Sequence, residues 1–102
     1  MATTTPLPPT SPGEILSEEF LAPLQLSQNA LARALGVPPR QINQIVHGER
    51  AITTRTALLL ARYFGTTPEF WINLQTHYDL VVERENLSDK LKTITPRQPV
   101  TC

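Results

Sequence analysis

Three glycines, Gly36, Gly48 and Gly65, divide the middle of this 102-residue chain into short segments that carry apolar residues at helical spacing. A serine, a double proline or a threonine stands ahead of each segment, and these residues favour the first turn of a helix. Glycine favours the left-handed conformation that ends one. The middle of the chain is therefore predicted to form helices of about ten residues each.

Two outer segments complete the pattern. Ser11 and Pro12 can begin a first helix, which we expect to end before Pro23, because proline disfavours helical geometry in the residue before it. Thr67 can cap a last helix that continues to the end of "VVEREN". Since no stretch supports a strand, the sequence predicts an all-α, compact five-helix domain over residues 12–86. The apolar residues expected on the helix faces are Ile15, Leu16, Phe20, Leu31, Ala34, Leu35, Ala57, Leu58, Leu60, Ala61 and Phe64.

The two ends of the chain differ from this middle. Residues 1–11 are rich in threonine and proline and are predicted to be a disordered arm, and residues 87–102 a flexible tail in which "SDKLKTI" can form a last helical turn. Cys102 is the single cysteine, which excludes an internal disulfide and a thiolate zinc cluster. No apolar run approaches ~20 residues and no signal-peptide pattern is present, so we expect no membrane segment and a cytoplasmic location.

The formal net charge is zero, but the charges are unevenly distributed. Residues 24–64 carry five arginines and one glutamate, a balance of +4, whereas residues 1–23 carry three glutamates and no basic residue. Residues 65–102 come to −1. A basic middle between acidic ends favours a single cationic surface over a uniformly charged protein.

Residues 28–45 have the spacing of a helix-turn-helix motif. Ala32 allows a second helix to approach closely, Gly36 permits the tight turn, and Ile42 and Ile45 would insert the following helix into the core. When these isoleucines face inward, the polar residues of the same helix face outward, because residues three and four apart share a face.

The outward side chains are of the kind that hydrogen-bond to base edges: arginine to guanine, and glutamine or asparagine to adenine. We expect base contacts from Arg40, Gln41 and Gln44, with Asn43 and His47 in support. The residues expected near DNA phosphates are Gln28, Arg50, Thr54 and Arg55. A merely solvated polar face is the alternative, and the turn spacing and the local charge favour DNA.

The fifth predicted helix carries a nearly continuous apolar stripe. Some of it must close the monomer core, but a domain this small cannot bury all of it, and a two-fold dimer needs a self-complementary patch. We predict a homodimer in which Trp71 and Tyr78 are anchors and two third helices lie about one DNA turn apart. The predicted dimer residues are Phe70, Trp71, Leu74 and Tyr78.

No residue pattern indicates catalysis, a metal site or a cofactor. His47 and His77 lie far apart in the sequence, with no carboxylate or thiolate arranged around either. A glycine-rich phosphate loop and a nucleophile–base pair are also missing from the sequence. We therefore expect no enzyme, no cofactor and no small-molecule substrate.

From Pro12 to Val82 the chain resembles the HigA-type (VapI-like) antitoxins of bacterial toxin–antitoxin modules, within the XRE/lambda-repressor-like group of DNA-binding domains. The motifs that carry the resemblance are "PGEIL", "LSQNALA", "IVHGERAI", "ALLLARYFGT" and "FWINLQ". A general repressor would share the helix-turn-helix but not both "PGEIL" and "FWINLQ". Three positions depart from the family: Ser11 replaces a histidine, Glu49 a lysine, and Arg55 an acidic residue.

The resemblance implies a dimer that binds a palindromic operator in its own promoter and neutralises a RelE/HigB-like toxin that cleaves mRNA. The acidic residues Glu14, Glu18 and Glu19 are then candidates for meeting a basic toxin surface, although a solvated helix face is the simpler interpretation. Two alternatives stay open at this point. One is a stand-alone XRE-type repressor without a toxin partner, and the other is a module that binds toxin but not DNA.

Overall fold

The structure, a computed structural model, describes residues 10–97 and contains six helices and no strand within that range. The helices are α1 (12–24), α2 (Gln28–Leu35), α3 (Pro39–Val46), α4 (Thr54–Phe64), α5 (Pro68–Asn86) and α6 (Ser88–Thr93). The all-α class and the five predicted helices are confirmed, and α6 is a further helix in the predicted tail. Most of the predicted disordered arm, residues 1–9, and the end of the tail, residues 98–102, lie outside the described residues.

Helix α1 passes through Pro23, so the predicted end before this residue is wrong. Its three parts are α-helical Pro12–Ile15, π-helical Leu16–Leu21 and α-helical Ala22–Leu24. The N–H of Ala22 donates to the Ser17 carbonyl, five residues back, instead of the usual four. This wider turn accommodates the proline ring, which in a regular α-helix would clash with the carbonyl four residues earlier.

The helix starts follow the predicted caps. Ser11 Oγ accepts from the Glu14 N–H at 3.3 Å while the Glu14 carboxylate accepts from the Ser11 N–H at 3.1 Å, which forms a capping box. For α4 the sequence left two candidates, and Thr53, not Thr54, accepts from the Thr56 N–H at 3.3 Å. The caps of α2 and α5 are Ser27 and Thr67.

The core lies where α1, α2, α3, α4 and the first half of α5 meet. The largest fully buried side chains are Trp71, Leu16, Leu31, Ile42, Ile45 and Leu60. Ala32 is fully buried, as expected for a close approach of α2 and α3. Two predicted core positions are wrong: Ala34 is exposed and Leu58 is 54% exposed. Each lies roughly 100° around its helix from the middle of the buried face, which turns it to solvent.

Trp71 belongs to the monomer core, and its predicted role as a dimer anchor is wrong. Its side chain is 0% exposed and its Nε1–H donates to Thr66 Oγ1 at 2.8 Å. Phe20 lies beside it, with ring centroids 4.9 Å from both Trp71 and Phe64. Phe70 packs edge-on against the indole at 5.0 Å, and its ring centroid lies 6.1 Å from that of Phe20. These aromatic contacts fix the start of α5 against α1 and α4.

Candidate nucleic-acid interface

The turn between α2 and α3 is set by its own residues. Gly36 has φ 72°, a left-handed conformation in which a side chain is strained even though a Cβ would meet nothing within 4 Å. The Val37 N–H donates to the Ala32 carbonyl at 3.0 Å and closes the end of α2. Pro38 is extended, with φ −63° and ψ 141°, and Pro39 occupies the first position of α3, where no N–H is needed. The double proline therefore fixes where α3 begins.

Helix α3 has one buried and one exposed face. Ile42 and Ile45 are 0% and 1% exposed, which places the helix firmly against the core. The remaining side chains face outward as predicted: Arg40, Asn43 and His47 are exposed, and Gln41 and Gln44 are half-buried. Hydrogen bonds to three different parts of the domain hold this polar face.

The first of these bonds joins α3 to the start of α2. The Asn43 amide donates to Gln28 Oε1 at 3.2 Å, so Gln28 lies beside the exposed face of α3. His47 Nδ1 lies 2.8 Å from the Asn43 carbonyl oxygen. Because a carbonyl only accepts, Nδ1 carries the proton, and in the neutral ring Nε2 is left as the acceptor. Neutral His47 therefore offers an acceptor to DNA.

The second bond joins α3 to α4. Gln41 Nε2 donates to Thr56 Oγ1 at 3.3 Å, and this hydroxyl, 3% exposed, also accepts from Thr53 Oγ1 at 3.2 Å. Gln41 therefore has two roles: it links α3 to α4, and it lies on the outward side of α3. Thr56 was not predicted as a site residue, and its one signal in the sequence is a hydroxyl side chain three positions after a cap.

The third bond joins α3 to the loop that follows it. Arg50 Nε donates to Gln44 Oε1 at 2.9 Å. Arg50, predicted to contact a phosphate, therefore contacts a predicted base-contacting residue in the free protein. The six-residue separation of the pair spans the end of α3 and Gly48, which has φ 76° and reverses the chain.

Several predicted residues line one groove between α3, this loop and the start of α4. The residues that line it are Gln41, Arg50, Arg55, Thr53 and Thr56, with Gly36, Val37 and Pro38 of the turn. Thr54 is exposed at the first position of α4. The N–H groups of a first helical turn lack intrahelical partners and carry positive potential, which suits a phosphate. The groove thus combines two guanidinium groups with a helix N-terminus.

Gln75 of α5, which was not predicted as a site residue, holds the same loop from the α5 side. Its Oε1 accepts from the Ile52 N–H at 2.8 Å, and its Nε2 donates to Asp79 Oδ1 at 2.9 Å. The signal was a polar side chain on the α5 stripe between Trp71 and Tyr78. This amide ties the position of the loop to the position of α5.

The three positions that depart from the expected family pattern lie in two places, Ser11 and Glu49 along one cavity and Arg55 in the groove. Ser11 forms the capping box of α1, and Arg55 lies in the groove beside α4. Glu49 lines a cavity together with Ser11, Gly13 and Tyr78, between α1, the end of α3 and α5.

The other predicted dimer residues spread along α5. Phe70 is 38% exposed, Leu74 packs against the core, and Tyr78 is half-buried. The stripe continues beyond them with Val81 and Val82, both half-buried. Within residues 10–97 no group of three histidine, cysteine or acidic residues could hold a metal ion, and no helix there is long and apolar enough to cross a membrane.

Helix α3 follows a tight turn and is anchored in the core, and its exposed polar face lies beside arginines and a helix N-terminus. These features define a helix-turn-helix DNA-binding domain. Comparison with known proteins agrees. Residues 18–71 match the family model described as Helix-turn-helix. "Virulence-associated protein I" of Dichelobacter nodosus is 51% identical over 80 residues, which cover 78% of this chain and 74% of that protein.

Solved structures narrow the class further. An addiction module antidote protein of the HigA family from Coxiella burnetii is 44% identical with a TM-score of 0.83, over 89% of this chain and 100% of the other. The Pseudomonas aeruginosa antitoxin HigA, solved with the higBA promoter, is 41% identical with a TM-score of 0.85, over 88% and 99% of the two chains. This chain belongs to the helix-turn-helix family, in its group of HigA-type (VapI-like) antitoxins.

Proposed function

We propose that this protein is a sequence-specific DNA-binding antitoxin that represses its own operon and neutralises a RelE/HigB-like mRNA-cleaving toxin. The observation that carries DNA binding is the exposed face of α3, whose side chains are held by bonds from α2, the following loop and α4. Side chains that are already ordered lose less conformational entropy when they bind. The promoter complex of the similar Pseudomonas aeruginosa antitoxin supports an operator as the ligand.

In this proposal α3 occupies the major groove of each half-site and blocks polymerase sterically. Arg40 and Gln41 lie in its first turn, where a recognition helix meets base edges, and Gln44 lies one turn further on. Phosphates on either side are contacted by Gln28 at the start of α2, and by Arg55 and Thr54 at the start of α4. The assignment of these individual contacts is part of the proposal.

A homodimer supplies the second α3. We propose that it forms through the α5 stripe where the stripe leaves the core, at Tyr78, Val81 and Val82. The first part of the same stripe, at Trp71 and Leu74, packs against the monomer core. Beyond it the same face carries apolar side chains that are half-buried in the monomer, and a second copy can cover them around a two-fold axis.

The toxin is proposed to bind elsewhere, so that DNA and toxin can be held by different surfaces. Glu14 is engaged in the capping box, whereas Glu18 and Glu19 are exposed on α1. This acidic surface is a candidate for contact with a basic toxin, since complementary charge speeds association and selects partners. The family is one of DNA-binding regulators and antitoxins rather than of enzymes, and we propose that the protein acts in the cytoplasm.

The DNA part is tested by a mobility-shift assay with the upstream region of the gene. We expect retardation by the wild type and its loss in an Arg40→Ala, Gln44→Ala double variant, with each substitution costing about 1–3 kcal/mol. Arg62→Ala is the matched control, because this exposed arginine lies at the other end of α4 from the groove. Absence of retardation by the wild type contradicts operator binding.

The toxin part needs a separate measurement. The product of the neighbouring gene is co-expressed with and without this protein, and we expect growth arrest that the protein relieves, together with co-purification. Operator binding without a toxic neighbour would identify a stand-alone repressor. Toxin binding without operator binding would identify a pure interaction module.

A further inference from the structure

We propose that Arg50 determines the base preference of Gln44, by holding its carboxamide so that the pair presents hydrogen-bond donors and selects guanine. The inference rests on the proposed DNA binding and specifies the chemistry of one base contact. It revises the general expectation that a glutamine on a recognition helix contacts adenine.

The orientation of the Gln44 carboxamide follows from the chemistry of its partner. Arg50 Nε lies 2.9 Å from the Gln44 terminal group. A guanidinium N–H can donate but cannot accept, so the atom that faces it must be the carboxamide oxygen and not the nitrogen. The bond is charge-assisted, which makes it stronger than a bond between two neutral groups. Gln44 is therefore held with its oxygen toward Arg50.

This orientation leaves donors for the DNA. Within the described residues neither side chain makes another side-chain hydrogen bond, so the Gln44 Nε2 amino group and the Arg50 Nη groups stay available. Both residues are accessible, Arg50 exposed and Gln44 half-buried on the outward side of α3. The loop end of α3 thus presents donors from both residues, and one of the two lone pairs of the Gln44 oxygen is engaged by Arg50.

The major-groove edges of the two purines distinguish such a surface. Guanine presents two acceptors, N7 and O6, which match two donors. Adenine presents the N7 acceptor and the N6 amino donor, and a bidentate glutamine contact to adenine needs the carboxamide oxygen as well as the nitrogen. Because Arg50 lies against that oxygen, the adenine N6 amino group would have to reach the remaining lone pair beside the positively charged guanidinium donors, whereas guanine O6 accepts from them. The pair should therefore favour guanine.

The supporting loop makes this orientation persistent. The Ile52 N–H donates to Gln75 Oε1 at 2.8 Å, two residues beyond Arg50. The Glu49 N–H donates to the Gln44 carbonyl at 2.8 Å, one residue before it. The backbone on both sides of Arg50 is thus held by hydrogen bonds, one to the Gln75 side chain and one to the Gln44 carbonyl, and Gln44 itself lies on a helix anchored by Ile45.

The test compares base preferences by selection from a pool of random DNA duplexes. The contacted position is defined as the one whose preference disappears in Gln44→Ala. We expect guanine there for the wild type, and in Arg50→Ala an adenine-to-guanine ratio raised about tenfold or more, since the freed carboxamide can then contact adenine with both atoms. Arg55→Ala removes the same charge from the same groove and should leave this ratio unchanged.

A second measurement uses only the wild-type protein. Replacing the selected guanine by 7-deazaguanine removes the N7 acceptor, and we expect binding about tenfold weaker. Adenine selected by the wild type, an unchanged ratio in Arg50→Ala, or full affinity for the 7-deaza duplex each overturns the proposal. The proposal is also overturned if Arg50→Ala weakens binding to all sequences equally, because Arg50 is then a phosphate contact. If the wild type enriches no sequence at all, the proposed DNA-binding function itself fails, which is a distinguishable result.

Discussion

Gly13 at the start of α1 lies directly against the backbone of Ile45 in α3. A Cβ on residue 13 would overlap the Ile45 carbonyl oxygen and would stand 2.9 Å from Val46 Cα. These neighbours are backbone atoms of a helix packed in the core, so they cannot move aside cheaply. The glycine of the "PGEIL" motif therefore permits α1 to dock against the recognition helix.

Replacing this glycine should destabilise the whole domain. We expect Gly13→Ala to lower the free energy of unfolding by about 3 kcal/mol, at the upper end of the cost of overpacking, as measured by urea denaturation. Gly36→Ala is the control, because it meets no atom within 4 Å and loses only the ease of a left-handed φ, about 1 kcal/mol. A Gly13→Ala variant as stable as the wild type would contradict the contact.

The two threonines at the start of α4 should separate stability from DNA binding. Thr53 caps the helix, so Thr53→Ala should lower the free energy of unfolding by about 1 kcal/mol. Thr54 is exposed next to it, and Thr54→Ala should leave stability nearly unchanged while weakening operator binding. Thermal unfolding and fluorescence anisotropy with labelled operator measure the two effects. Equal losses of stability in both variants would refute this division.

Local patterns account for the parts of the fold that the sequence predicted well. Caps at Ser27 and Thr67 and the stop at Gly36 depend on residues within about four positions, and each helix of that kind begins and ends as predicted. The end of α1 at Pro23 was predicted wrongly, because the residues around this proline do not reveal the π-helical turn that accommodates its ring. The role of Trp71 was predicted wrongly for another reason: an apolar stripe does not indicate which of its residues pack in the monomer core and which remain for a partner.

The site was predicted as a set of residues but not as a set of contacts. The outward face of α3 follows from helical periodicity once Ile42 and Ile45 are assigned to the core. The bonds of that face join residues separated by loops, such as Gln41 to Thr56 and Gln44 to Arg50, and these depend on how the helices pack. Tertiary packing therefore decides which atoms the polar side chains present.

Arg55 and Arg62 provide a comparison of two exposed arginines on one helix. Arg55 lies in the groove at the start of α4, and Arg62 lies at its far end beside Gly65 and Pro68. We expect Arg55→Ala to weaken all DNA sequences about equally and to reduce the slope of log K against log salt concentration by about 1. Arg62→Ala carries the same loss of charge and should change neither. Equal effects from both would indicate a diffuse electrostatic attraction instead of a phosphate contact.

The stripe on α5 yields a test of the proposed dimer. Val82 continues the core-facing stripe beyond the monomer core and is half-buried, whereas Leu80 lies on the other side of α5 and is 49% exposed. Placing an unpaired carboxylate in the interface should cost about 3 kcal/mol, so Val82→Glu should raise the dimer dissociation constant roughly a hundredfold in analytical ultracentrifugation. Leu80→Glu makes the same apolar-to-acidic change and should leave the dimer intact. Dissociation caused by Leu80→Glu alone would place the interface on the opposite face of α5.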